Sequence, residues 1–294
     1  MATFRITLAY DGTDFVGWQR QATGVSVQGL LEEALRELDQ RDVTVTGAGR
    51  TDAGVHALGQ VAAFSIERPL TAQVVIRALN ARLPDAVRVL SAEEMPATFH
   101  ARFGARAKTY RYRILNGDIA SPFERRYAWH VPGALDLDAM RTAARLVEGV
   151  HDFAAFQSAG SDVRTTEREI SCSRISTTED TLDTEEKSLS WTGFDLRGPR
   201  VLRGGEVGNG GEIGNGGALV CYEITGNGFL RHMVRAMAGS LVEVGRGRRP
   251  PNWMGDVLAS RDRGRAGPTA PAKGLFLVSV TYGVVESRFT PKEP

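Results

Sequence analysis

The chain is poor in the residues that would announce several kinds of chemistry. It has 294 residues and two cysteines, Cys172 and Cys221, with no Cys-x-x-Cys pair. That leaves a zinc site and a disulfide scaffold unsupported, and a reducing compartment, the cytoplasm, is expected. No apolar run approaches the roughly 18 residues of a membrane span, so no membrane partner is expected. The opening "MATFRITLAY" lacks the long apolar core of a secretory signal. Neither a Walker A loop nor Gly-x-Gly-x-x-Gly occurs, which gives no support to a nucleotide cofactor. Excess charge is absent too: the net charge is +1. The sequence therefore implies neither cofactor nor metal.

What is present is unevenly distributed. Residues 231–273 hold nine Arg or Lys against three acids, and residues 100–126 hold seven against two. Two such stretches form one phosphate-binding surface if they converge, and ordinary solvated surface if they do not. Residues 176–212 reverse the balance, with eight acids against four bases.

Periodicity predicts an α+β fold with a mostly antiparallel sheet. "FRITLAY" alternates as a strand. Val27, Leu30, Leu31, Ala34, Leu35 and Leu38 recur at helical spacing behind Ser26 as N-cap. "VTVTGAG", "QVAAFSI" and "AVRVL" read as strands. Thr71 caps a helix with Val74, Val75, Ala78 and Leu79 on its apolar face. "KTYRYRILN" is a strand with Tyr110, Tyr112 and Ile114 on one face. A helix follows with Leu137, Met140, Ala144 and Val147 in phase. The segment 219–225 reads as a strand, 229–243 as a helix, and "GLFLVSVTYG" as a closing strand. Two related α/β halves, 1–105 and 106–294, are expected. The second carries a polar insertion at about 176–217, in which "GEVGNG" is nearly repeated as "GEIGNG". Its composition offers little apolar area to offset ordering, so a flexible, inert excursion is expected, with Trp191 and Phe194 as candidate tethers. If "EISCSRI" and "ALVCYEI" pair beneath it, Cys172 and Cys221 lie near the hairpin's two sides.

The stretch with most chemical promise is "GAGRTDAGVHALGQVAAF" at 47–64. Gly49, Ala53 and Gly54 allow a tight turn and close ligand approach around Asp52. Asp52 suits a nucleophile, a general base or an electrostatic partner; an Asx turn that fixes the loop is the plainer alternative. Arg50 is placed to pair with it. His56 either contacts a ligand or satisfies a core hydrogen bond.

"GRTDAGVHALGQVAAF" closely resembles the signature of TruA-type tRNA pseudouridine synthases. "LAYDGTDFVGWQRQ", "NARLPDAVRV", "TFHARFGARAKTYRYRI" and "GNGFLRHMVRAMAGSLVEVG" resemble further blocks of that family, in order, over nearly the whole chain outside the insertion. The resemblance implies the pseudouridine synthase fold, with two related halves around a basic cleft. It implies isomerisation of uridine at positions 38, 39 and 40 of the tRNA anticodon arm, by a homodimer whose two subunits the tRNA spans. The family's essential aspartate falls on Asp52 and its active-site arginine on Arg50. The aromatic residue that stacks on the target uracil falls on Tyr110. The second basic residue falls on Arg235, and a hydrophobic residue near the base on Leu277. RNA contacts are expected from His56, from Arg102, Arg106 and Lys108, from Arg231 and His232, and from Arg246, Arg248 and Arg249. Arg231 and Arg235 are expected to share a helix face. A non-catalytic tRNA-binding protein on the same fold, or a glycosidic-bond hydrolase, is the alternative. The latter commonly needs a second carboxylate, and none stands out near Asp52.

Overall fold

A computed structural model describes residues 1–158, 160, 163, 165–177 and 217–283. Nearly all of the acidic insertion, with Trp191 and Phe194, lies outside the described residues. The fold is α+β, with helices flanking a central sheet. The chain divides into two compact units. The first comprises Met1–Tyr110, Thr225–Gly228 and the chain from Phe276; the second comprises Arg111–Ile224 and Phe229–Leu275.

In the first unit, β1 (Ala2–Tyr10) is the axis. It pairs antiparallel with β3 (His56–Ile66) on one edge and with β4 (Val87–Met95) on the other. Phe4, Ile6 and Leu8 have no exposed area, and the Phe4 and Phe64 rings lie 6.0 Å apart. The alternation in "FRITLAY" is thus the inward face of a half-buried strand. β2 is only Thr46–Gly47, because Val43 and Val45 are buried without joining a ladder. The closing strand β10 (Leu275–Tyr282) runs parallel to β3, with Phe276 opposite His56 and Leu277 opposite Ala57. Beside β10 runs the beginning of β5 (Ala105–Asn116). The sheet thus combines the antiparallel pairing that periodicity suggests with this parallel pair.

Two helices belong to this unit among the described residues. α1 (Val27–Asp39) buries Val27, Leu31, Ala34, Leu35 and Leu38, and leaves Leu30 half-buried. The Ser26 hydroxyl accepts a hydrogen bond from Gly29 N–H at 3.1 Å. α2 (Ala72–Asn80) buries Val75 and Leu79. Val74, expected on the same face, is 41% exposed. Thr71 stands at the N-cap position of α2 without making a side-chain cap bond.

In the second unit, the end of β5 pairs parallel with β6 (Trp129–Val131). The order then continues through β9 (Ala218–Gly226) and β8 (Glu167–Thr177) to β7 (Gly149–Asp152). β8 and β9 are neighbours, as expected. Ser173 and Tyr222 share a buried hydrogen bond of 3.1 Å between them, and both cysteine thiols are free. The helices are α3 (Leu137–Arg145), α4 (Met233–Gly245) and α5 (Trp253–Ser260). α4 is buried on nearly every side. It starts four residues later than the apolar pattern suggested, because His232 adopts a left-handed backbone (φ 60°).

The two N-caps differ in a way that solution measurements can read. Ser26→Ala is expected to cost about 0.5–2 kcal/mol in urea unfolding, the usual worth of a capping bond, and Thr71→Ala distinctly less.

Candidate active site

Asp52 sits on the loop from β2 to β3, in the first unit. Val55 N–H donates to Asp52 O at 3.1 Å, and Gly54 has φ +75°. This is a closed turn that presents the half-buried Asp52 side chain. The turn does not stand alone, because the segment 11–18 after β1 lies against it. A Cβ on Gly12 would overlap the Val55 carbonyl, and one on Gly17 (φ +109°) would come within 2.6 Å of Thr51 O. Trp18 N–H donates to that same Thr51 carbonyl at 3.0 Å. Two backbones are in van der Waals contact here, which only glycine permits.

Side chains complete the clamp. Tyr10 and Thr51 share a hydroxyl–hydroxyl hydrogen bond of 2.8 Å. Gln60 Nε2 donates to Gly49 O at 3.0 Å and reaches Tyr10 Oη at 3.5 Å. Tyr10, Thr51 and Gln60 are all buried. Burial pushes the Tyr10 phenol up to about 12, against the smaller opposing effect of its two hydrogen bonds, so it keeps its proton. At the far end of the loop, His56 is 1% exposed. Its Nδ1 accepts from Gly12 N–H at 3.0 Å, and its ring stacks on Phe276 at 4.6 Å. The adjacent Asp11 carboxylate accepts from the Thr13 N–H and hydroxyl. The expectation that His56 touches RNA is therefore corrected: it pins the base of the loop from inside.

β5 supplies the other wall. Burial raises the Tyr110 phenol well above the tyrosine range, and coupling to the neighbouring Tyr10 and to the Asp52 carboxylate adds to that shift. Tyr110 is thus a neutral ring within the electrostatic reach of Asp52. Two residues earlier, on the same face of the strand, the Lys108 side chain passes Gly49. Leu277 is fully buried on β10. Arg50 departs from expectation. It is exposed, and among the described residues it forms no ion pair with Asp52. Arg102 and Arg106 are exposed, in the turn before β5 and at its start.

The remaining candidates belong to the second unit. Arg231 precedes α4 and is exposed, its Nη1 donating to Gly160 O at 3.4 Å. It does not share a helix face with Arg235, because the left-handed His232 intervenes. His232 Nδ1 lies 2.9 Å from the Ser158 hydroxyl. Arg235, in the first turn of α4, is half-buried. Its Nε donates to Ala270 O at 2.8 Å, and its own carbonyl accepts from Ala270 N–H. Arg246 and Arg248 both approach Glu243, at 3.7 and 3.0 Å. The Arg249 guanidinium lies 5.2 Å from the Trp253 ring centre. No cluster of metal-ligating side chains occurs among the described residues, and no described helix is long and apolar enough to cross a membrane.

A family model described as tRNA pseudouridine synthase matches residues 6–104 and 143–283. The chain belongs to the tRNA pseudouridine synthase family. It is 43% identical to tRNA pseudouridine synthase A of Syntrophotalea carbinolica, covering 96% of this chain and 97% of that one. It is 44% identical to the protein of the same name from Solibacter usitatus, over 96% and 100% of the two chains, and 41% identical to that of Myxococcus xanthus, over 96% and 92%. Asp52, Arg50, Arg235 and Leu277 lie within the two segments matching the synthase family, and Tyr110 between them.

Sequence reading missed the clamp itself. Periodicity places Tyr10 only at the end of the alternating strand "FRITLAY", and nothing in it singles out Thr51, Gln60 or Trp18. The one local signal is the run of glycines at 12, 17 and 24 after the first strand. Gly12→Ala tests the clamp, since it leaves every reactive group in place and forces the two loops apart. Displacements near 1 Å cost about 10²-fold in rate. A loss of that order in turnover, with the fold intact by circular dichroism, is expected.

Proposed function

We propose that this protein isomerises uridine to pseudouridine at positions 38, 39 and 40 in the anticodon arm of tRNA. The observation that carries the reading is a half-buried aspartate on a clamped turn, beside a neutral buried tyrosine, in a chain of the tRNA pseudouridine synthase family. The reaction breaks the N1–C1′ glycosidic bond of uridine and forms a C5–C1′ bond. The proton displaced from C5 is balanced by one gained at N1, so the product is an isomer and no group donor is consumed.

A uridine within an RNA stem has to leave its stack before a side chain reaches C1′. Tyr110 offers the flipped uracil an aromatic face, worth about 1–3 kcal/mol per stacked base. Its raised phenol keeps that face uncharged beside Asp52. The Asp52 carboxylate acts on the ribose or base as nucleophile, or takes the C2′ proton on a glycal route. The clamp holds Asp52 still while the base detaches, turns and reattaches. Exposed Arg50 braces the position the base vacates. Arg235 is the second basic residue and Leu277 the hydrophobic residue near the base that this reading assigns. Arg102, Arg106 and Lys108 in the first unit, with Arg231, His232, Arg246, Arg248 and Arg249 in the second, contact RNA phosphate. Double-stranded RNA is bound mainly through shape and backbone, which suits an enzyme with several adjacent targets. A cytoplasmic homodimer is the working form in this reading; two copies double the basic surface of a chain whose net charge is only +1.

The test uses tRNA transcripts carrying uridine at position 38, 39 or 40, incubated with wild type or Asp52→Ala, with pseudouridine mapped by site. Product from wild type alone is expected. Tight tRNA binding without product from folded wild type would point instead to a binding protein, and free uracil to a hydrolase. Affinity is also expected to fall as salt rises, since phosphate contacts release counterions; affinity unchanged between low and high salt would remove the electrostatic part of the reading.

A further inference from the structure

Phe103 is 78% exposed, although it sits on a firmly held turn. His100 Nδ1 accepts from the N–H groups of both Arg102 (3.1 Å) and Phe103 (3.2 Å), and Gly104 N–H donates to His100 O at 2.9 Å. Beneath, Ala101 is fully buried and its carbonyl accepts from the Tyr282 hydroxyl at 2.6 Å. Arg5 lies over the rings of Phe99 and Tyr282, at 5.9 and 5.5 Å. The turn is thus bolted to the first unit from below while the ring points outward. The His100 ring approaches the Phe103 ring at 4.3 Å, and the Arg102 guanidinium stands 5.7 Å from its centre. An aromatic ring displayed on a rigid turn between a cation and an imidazole is not the edge of a hydrophobic core.

We infer that Phe103, flanked by Arg102, is a second stacking platform, which takes an unstacked nucleobase of the RNA substrate outside the Asp52 pocket. The inference rests on the tRNA reading above. Each nucleobase offers a π-face, and arginine beside an aromatic residue adds cation–π attraction to the stack. The charge fits the same occupant. Arg102 stands beside Phe103, and Arg106 and Lys108 lie along the path from Phe103 to Tyr110, so together they track a phosphate backbone. Seven residues of extended chain span at most about 23 Å, so one short stretch of RNA reaches both rings. A second copy of the chain is the less suitable occupant. An isologous contact centred on this turn would gather Arg102 and Arg106 of both copies in one place, and like charges across an interface are unfavourable. Neither arginine enters an ion pair among the described residues that would neutralise it.

The experiment compares wild type, Phe103→Ala, Phe103→Leu and Phe103→Trp in pseudouridine formation on tRNA transcripts, with sedimentation velocity on each. Phe103→Ala and Phe103→Leu are expected to raise KM roughly 5- to 150-fold, the equivalent of one lost base–aromatic stack. The loss falls on KM rather than kcat, and Phe103→Trp restores the wild-type value. Leucine behaving as phenylalanine, an unchanged KM in Phe103→Ala, or a dimer that becomes monomer in Phe103→Ala would each overturn the platform. Wild type that forms no pseudouridine would instead fail the functional reading, and the platform with it.

Discussion

Everything at this site depends on two backbones being allowed to touch. A carboxylate on a loop is harder to hold in place than one on a strand, because loops are the most mobile parts of a fold. Here the register of the sheet resolves it. Tyr10, the last residue of β1, pairs with Ala57, near the start of β3, so the segments 11–18 and 47–55 leave the sheet at the same end. β10 begins there too, with Phe276 beside His56. Antiparallel pairing thus delivers the two loops to one place, and Gly12 and Gly17 let them close without an intervening side chain. The hydrogen bonds of Trp18, Tyr10, Gln60 and His56 then fasten Gly49, Thr51 and Gly12 around Asp52 from several directions. Preorganisation of this kind places the reacting group before substrate arrives, so less ordering remains to be done in the transition state.

The polar groups that make the clamp are affordable because each is satisfied. Buried hydroxyls and amides are costly only when their hydrogen-bonding capacity is left unused. Among the described residues no buried side-chain nitrogen or oxygen lacks a partner. Neutrality matters as much as pairing. Burial keeps both Tyr10 and Tyr110 protonated far above physiological pH. Neither phenol therefore adds negative charge beside Asp52.

Much of this was legible in the sequence where the signal is local. The alternation of β1, the helical spacing of α1 and the compact Arg-Thr-Asp turn are properties of neighbouring residues. Longer-range features were not. Nothing local distinguishes the buried Val75 from the exposed Val74 next to it, because that depends on which way α2 is rolled onto its sheet. The left-handed His232 ends an apolar pattern that reads as unbroken helix from 229, and so separates Arg231 from Arg235. The parallel pairing of β10 with β3 joins residues more than two hundred positions apart. The exposure of Arg50 was also hidden: its spacing from Asp52 permits an ion pair, but the turn geometry directs the two side chains to different surroundings.

That exposure changes the electrostatic argument. Arg246 and Arg248 share the Glu243 carboxylate, so together they carry less net charge than their number suggests. Arg50, Arg102 and Arg106 share no such carboxylate among the described residues. A chain with a net charge of +1 attracts a polyanion only if some of its cations are left uncompensated in one region, and these three are arranged within the unit that also carries Asp52. An arginine committed to holding Asp52 in the free protein would have to break that contact to reach RNA. Arg50 has no such contact to break.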